Sequence, residues 1–397
     1  MFDGEAEQIA IRCTILRGGT SKGVYLLEHD IPPPGLLRDR LLKCIMGSPD
    51  VLQIDGLGGA RLITSKMAII KRSDWTDADV DYTFAQVNPE RDMIVYTSNC
   101  GNISAGVGPF AIDAGLVAAT NPVTVVRIHN TNTGKILVAH VPVAGGRAKV
   151  GGDFAIDGVP GTGAEIKMDY SGTVGAKTGR MLPTGQAADL VRMEDGSSLV
   201  VSIVDVANPC VFVGAEAFGL GGSELPEFFT RSPALLDCIR ELRGKAAERI
   251  GLTTDWRDVD RQSPSLPLFV AVSPPAPYAN MRGAAVDPAS TDLRARLVWY
   301  YKCHESMAGT GSMCTAAASR IPGSVVNEVI GAEAAATGTL RIGHPMGVMA
   351  VSVEAEPSNA EGKVTFKMLG FSRTARRIMD GTVYIPRERL DPSRLAV

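Results

Sequence analysis

The stretch SNCGNISAGVGPFAIDAGL, Ser98–Leu116, decides how the chain is read. Cys100 stands between two asparagines, and glycines follow at positions 101, 106 and 108. The small-residue apolar run after them predicts a helix from about Asn102 to Ala114. A helix N-terminus leaves backbone N–H groups free and carries partial positive charge, so it attracts anions. Asn99, Gly101 and Asn102 suit the backbone of such a cradle. Cys100 is then either a thiol placed to pass a proton or a small apolar filler beside a turn. A second junction of this kind is HESMAGTGSMCTAAAS, His304–Ser319, where Thr310, Gly311 and Ser312 form the second cradle. In both places the glycines could also serve close packing alone.

Working outward, strands flank each junction. Ile9–Leu16 and Val24–Leu27 bracket the turn RGGTSKG, Arg17–Gly23, and read as a hairpin. A Gly-rich loop in IDGLGGARLITSKMAII feeds a strand ending near Ile70, and Val123–His129 and Lys135–Pro142 continue as a meander. The stretch GVPGTGAEIKMDYSGTVGAKTGRMLPTGQ reads as irregular and places a domain boundary near residue 185. The domains are then 1–185, carrying Lys66 and Cys100, and 186–397, with its last strand packing on the first domain. The second half repeats the order of parts: strands (Ser198–Val206, Leu268–Val272), a small-residue turn, an apolar helix, then more strands. Two like domains facing each other put two helix N-termini at one cleft. Two opposed cradles suit a small di- or tricarboxylate, and no phosphate-loop pattern is present.

Composition agrees with an ordinary soluble globular protein. Of 397 residues, 40 are Lys or Arg and 43 Asp or Glu, a net charge of −3 that gives no reason to expect nucleic acid or an anionic membrane as partner. The seven cysteines are scattered and lack a C-x-x-C pair, which argues against a disulfide framework or a zinc site. A reducing, cytoplasmic setting follows as the expectation.

Outside the two junctions the candidates are few. Lys66 heads an apolar strand in TSKMAII; it is either a desolvated base or a surface lysine at a strand edge. Arg17 could meet a substrate carboxylate or act as a turn cation. His344 in IGHPMG is the one histidine in an unusual turn. Asn208, before Pro209 in DVANPCVFV, could hold a carboxylate or close a turn.

Taken together, LRGGTSKGVYL, SNCGNISAGVGPFAI, DVANPCVFV, MAGTGS and IGHPMG resemble the PrpF/methylitaconate isomerase family, over essentially the whole chain. That resemblance implies an α+β fold of two similar diaminopimelate-epimerase-like domains, each a curved, mostly antiparallel sheet around a central helix. It implies no cofactor and no metal. Carried over by position, Lys66 and Cys100 form the proton-transferring pair. Thr20 and Ser21 join the substrate-binding residues, Ser21 in the place of an asparagine of the epimerases, and Asn208 matches the asparagine of their second turn. Within the family the chain is most similar to the 4-oxalomesaconate isomerases of aromatic-acid degradation; methylitaconate and aconitate isomerases are the alternatives. A non-catalytic carboxylate-binding accessory protein is the alternative from another class. The expected partner is a small unsaturated di- or tricarboxylate, and the expected assembly a homodimer. One departure matters: the epimerases carry a second cysteine before the second Gly-rich turn, where this chain has Met307 and Ala308. Without two facing thiols, a 1,3-allylic proton shift is expected in place of inversion at a single carbon.

Overall fold

A computed structural model describes residues 6–97, 99–357 and 364–390. Strands β1 (Gln8–Gly18) and β2 (Ser21–Leu27) form the expected antiparallel hairpin, with Gly18 opposite Ser21. Gly19 turns it at φ +51°, a left-handed backbone that glycine adopts without a Cβ penalty. Helix α1 (Leu36–Met46) crosses over to β3 (Lys66–Arg72), which runs parallel to β2. Strand β3 is antiparallel to β4 (Val80–Val87), which also pairs with the short β5 (Ile94–Val95). Helices α2 (Gly101–Ser104) and α3 (Val107–Asp113) lead to β6 (Val123–Asn130), parallel to β4, and then to antiparallel β7 (Lys135–Ala144).

After β8 (Ile166–Asp169) and β9 (Asp189–Arg192), the same order of pairings recurs. Strands β10 (Ser198–Val206) and β11 (Asn208–Gly214) form a hairpin, turned by Ala207 at φ +60°. Helix α4 (Pro233–Arg249) crosses to β12 (Leu268–Ser273), parallel to β11 and antiparallel to β13 (Leu293–Trp299). The short β14 (Lys302–Cys303) pairs with β13. Helix α5 (Gly309–Ala318) leads to β15 (Thr339–His344), parallel to β13, and on to antiparallel β16 (Gly347–Pro357). Each half is therefore antiparallel, parallel, antiparallel, parallel, antiparallel, with one helix crossing outside and one running through the middle.

The last two strands join the halves. Strand β17 (Val364–Arg373) pairs with β16 and with β8, while β8 also pairs with β7. Strand β18 (Ala375–Pro386) runs back along the whole of β1. The segment read from sequence as an irregular linker thus supplies a strand inside the sheet. Its IKMD alternates buried and exposed positions, a period-two signal short enough to be masked by the glycines around it.

Strand β3 shows how the layers are built. Met67 and Ile69 pack with Leu41, Leu42 and Ile45 of α1, whereas Ala68 and Ile70 pack on the opposite face with Ile103, Val107 and Phe110 of the central helices. Both faces are covered, so residues 67–70 form an unbroken apolar run rather than an alternating one. Lys66 shares the face of Ala68 and Ile70, and its side chain is therefore directed into the middle of the sheet. All ten residues of α5 are buried. The single helix expected over Asn102–Ala114 is two short ones. Pro109 has no N–H for the carbonyl of Ala105, and Gly106 N–H bonds instead to Ile103 O at 2.9 Å in a tighter turn. Among the described residues no helix is long and apolar enough to cross a membrane.

Candidate active site

The two central helices begin against each other. Gly101 and Gly309 touch through their backbones: a Cβ on Gly101 would lie 2.9 Å from Gly309 Cα, and one on Gly309 would lie 2.9 Å from Gly101 Cα. Neither glycine has a positive φ. Gly101 and Asn102 have ordinary helical backbone, and it is the close approach that requires glycine at 101 and 309.

Around this contact lies a cavity of about 20 Å³, lined by Lys66, Phe84, Asn99, Cys100, Gly101, Asn102, Asn208, Leu268, Trp299, His304, Ala308, Gly309 and Thr310. That is room for about one water. Lys66 is buried, its Nζ 4.9 Å from the Trp299 ring centre and 5.4 Å from that of Phe84. Among the described residues no carboxylate pairs with it. Two aromatic faces hold the side chain in place without neutralising it. Cys100 is the residue before α2, buried, with its N–H donating to Asn99 Oδ1 at 2.7 Å.

The internal repeat gives each group a counterpart. Lys66 pairs with Gly23, two residues after Ser21; Leu268 pairs with Cys210, two residues after Asn208. Ser21 and Asn208 therefore occupy like places, as do Lys66 and Leu268. Cys100 before Gly101 likewise corresponds to Ala308 before Gly309. The first half supplies a lysine and a cysteine, and the second half answers them with a leucine and an alanine.

Asn208 bolts the halves together. Its Oδ1 accepts from Asn99 N–H at 3.3 Å, and its Nδ2 donates to Asn99 O at 3.1 Å and to Thr310 Oγ1 at 3.0 Å. Asn99 Nδ2 and Ser21 Oγ are buried without a hydrogen-bond partner among the described residues. Buried polar atoms are normally satisfied, and Asn99 lines the cavity, so its amide is a donor free for a ligand. Asn102 Nδ2 donates to Thr20 Oγ1 at 3.1 Å, and Thr20 Oγ1 lies 2.9 Å from Ser306 Oγ.

Other expected residues lie elsewhere. Arg17 has its guanidinium engaged by Gly19 O, Thr374 O and Thr374 Oγ1, clamping the hairpin turn to the chain before β18. Gly311 packs against Leu297, and Ser312 Oγ turns back to Gly309 O at 2.8 Å. His344 lines a neighbouring cavity of about 410 Å³ that Thr20 also borders. Cys314 is buried and donates to Val204 O.

Two residues of the small cavity carry no local sequence signal. Trp299 ends β13, and His304 follows β14. Ser306 N–H donates to His304 Nδ1 at 3.1 Å, which leaves the ring proton on Nε2. Burial, with Lys66 nearby as a second cause, pushes the His304 pKa down to about 3, so the ring is a neutral donor at neutral pH. Among the described residues no group of three or more His, Cys, Asp or Glu side chains converges as metal ligands would.

A mixed sheet folded into two like halves, with central helices meeting end to end, defines the epimerase-like fold. The fold is shared with a hydroxyproline epimerase from Agrobacterium vitis, at TM-score 0.57 and 12% identity over 97% of this chain and 94% of that one. The chain belongs to the PrpF protein family, whose model matches residues 8–386. It is 46% identical over 386 residues to the 3-methylitaconate isomerase of Eubacterium barkeri, covering 97% of this chain and 100% of the relative. It is 39% identical over 381 residues to the 4-oxalomesaconate tautomerase of Pseudomonas putida, covering 96% and 98%. A crystal structure of methylitaconate-delta-isomerase superposes at TM-score 0.80 with 45% identity, over 99% of this chain and 100% of that one.

Proposed function

We propose that the chain moves a carbon–carbon double bond within an unsaturated di- or tricarboxylate by a 1,3-proton shift. The observation that carries this reading is the asymmetry at the helix junction. Lys66 and Cys100 line one buried cavity, while the repeat places leucine and alanine opposite them. Inversion at one carbon needs proton carriers on opposite faces; two carriers from one half suit two carbons of one allylic face.

In this mechanism Lys66 takes a proton from the carbon next to the double bond. The C–H electron pair becomes part of a dienolate, delocalised onto a carbonyl or carboxylate. Free N–H groups at the helix junction, Asn99 Nδ2 and the His304 Nε2–H stabilise that charge. Cys100 returns a proton at the far carbon and the double bond is formed one position along. The substrate's composition is unchanged, and exchange with water resets lysine and thiol. Simple carboxylate binding needs neither group, which argues against an accessory role.

Two substrates fit. A methylitaconate-type dicarboxylate is supported by the relative at 46% identity, and 4-oxalomesaconate by the relative at 39%. Proton NMR of each with the pure protein tests the reading: a displaced vinyl signal is expected for at least one, and unchanged spectra for both would overturn it.

A further inference from the structure

Beside the small cavity lies the wider one of about 410 Å³, lined by residues of β15, β16 and β17 and of the segment 154–157, and bordered by Thr20, Ser306, His344 and Arg373. Arg373 is the last residue of β17 and is only 5% exposed. Among the described residues it has no carboxylate partner. Its three contacts are all neutral: Nε–H donates to Asn102 Oδ1 at 3.1 Å, one Nη to Ser372 O at 3.0 Å, and the other to the thioether of Met349 at 2.7 Å. A thioether is a weak acceptor, and the guanidinium also lies 4.2 Å from the Phe371 ring centre. A buried charge without a counterion is costly to keep.

The other lining arginine is already committed. Arg341 is held by Asp292. Asp157, a carboxylate on the same wall, accepts from Val348 N–H, and Ser372 Oγ lies against Glu165, which is not among the lining residues. His344 Nδ1 accepts from Met346 N–H at 3.1 Å, so its Nε2 carries the ring proton and is a donor.

We propose that Arg373, with His344, binds a carboxylate of the substrate lying beyond the allylic unit, so that the site selects a tricarboxylate over a dicarboxylate. The link to the reacting end is direct. Arg373 holds Asn102, which is two residues from Cys100 and bonds Thr20 at the border of the two cavities. A carboxylate clamped on the guanidinium fork would therefore set where the double bond lies relative to Cys100. This inference rests on the isomerase reading for its substrates, and its test separates the two.

The test is steady-state kinetics of wild type, Arg373→Lys, Arg373→Met and His344→Asn on 4-oxalomesaconate and methylitaconate, with calorimetric binding of the saturated compounds propane-1,2,3-tricarboxylate and succinate. For Arg373→Met the expected result is a KM for the tricarboxylate raised about 10- to 100-fold, with the dicarboxylate KM changed less than about threefold. Propane-1,2,3-tricarboxylate binding should weaken in parallel, with Arg373→Lys falling between. Equal losses on both substrates, or an unchanged tricarboxylate KM in a protein of normal melting temperature, would overturn the assignment and leave the isomerase reading intact. Should Arg373→Met fail to fold, Arg373→Lys and His344→Asn carry the same comparison. Absence of turnover on both substrates, with tricarboxylate binding still lost in the variants, would sink the isomerase reading but uphold the carboxylate site.

Discussion

Replacing Gly309 by alanine tests whether the contact between the helix starts positions the chemistry. The new Cβ would sit 2.9 Å from Gly101 Cα, 3.0 Å from Gly101 C and 3.0 Å from the Phe371 ring edge. Carbon atoms rest at about 3.5–4.0 Å, so relief requires the helix starts to part by roughly 0.6–1.1 Å. No side-chain rotation can supply this, because two of the three neighbours are backbone. Overpacking of this kind costs about 1–3 kcal/mol, and a displacement of about 1 Å at a reacting centre costs about 10²-fold in rate. Calorimetric melting and turnover on whichever unsaturated carboxylate proves active provide the assay. Gly214→Ala is the control, since nothing lies within 4 Å of a Cβ there. Gly309→Ala should lower both melting temperature and turnover while the control leaves both near wild type. A Gly309→Ala protein with wild-type turnover would refute the idea that this contact sets the site's geometry.

Asn208→Ala removes the acceptor of Asn99 N–H and the donor to Asn99 O and Thr310 Oγ1. With each buried group left unpaired costing about 1–3 kcal/mol, a loss of several kcal/mol in denaturant unfolding is expected; a change below about 0.5 kcal/mol would contradict the bolt between halves. Acid should destabilise the protein through two buried histidines. His304 and His344 are both pushed down to about 3, chiefly by burial. The unfolded chain therefore binds more protons below about pH 6.5, and stability falls as pH drops from there toward 3. At pH 5 each contributes about 2 kcal/mol to that loss, from about 1.4 kcal/mol per pH unit. His344→Asn should flatten the profile by one such share, and an unchanged slope would count against its buried neutral state. Cys100→Ser should retain substrate–solvent hydrogen exchange while turnover drops by about 10²-fold or more; wild-type turnover would remove the thiol from the mechanism.

Local patterns carried a good part of this in the sequence. The turn at Gly19, the apolar run after Lys66 and the small-residue entries to α2 and α5 are short-range signals, and each marks a true element. The cradle residues were legible as glycines, but their reason was not: Gly101 and Gly309 meet across more than 200 residues of chain, which no local spacing reports. The same holds for Trp299 and His304, which reach Lys66 only because β13 and β14 close the second half against the first. Arg17 looked available as a turn cation, yet Thr374, brought in by the return of the chain beside β1, occupies it. Arg373 sits at the end of an unremarkable strand, and its lack of a partner becomes visible only when the wide cavity is seen beside it. The opposition of Lys66 to Leu268 follows from strand register, which the sequence alone does not specify, whereas the absence of a cysteine to match Cys100 is already legible at Met307 and Ala308.

The central claim is that Lys66 removes the proton. Incubating the Lys66→Met protein with substrate in deuterium oxide and following the allylic C–H signal by NMR tests it most directly. The side chain is nearly isosteric and fits between Phe84 and Trp299, so the fold should persist. Wild type should exchange that hydrogen and move the double bond, and Lys66→Met should do neither. Deuterium entering the substrate at the wild-type rate in Lys66→Met would contradict the account.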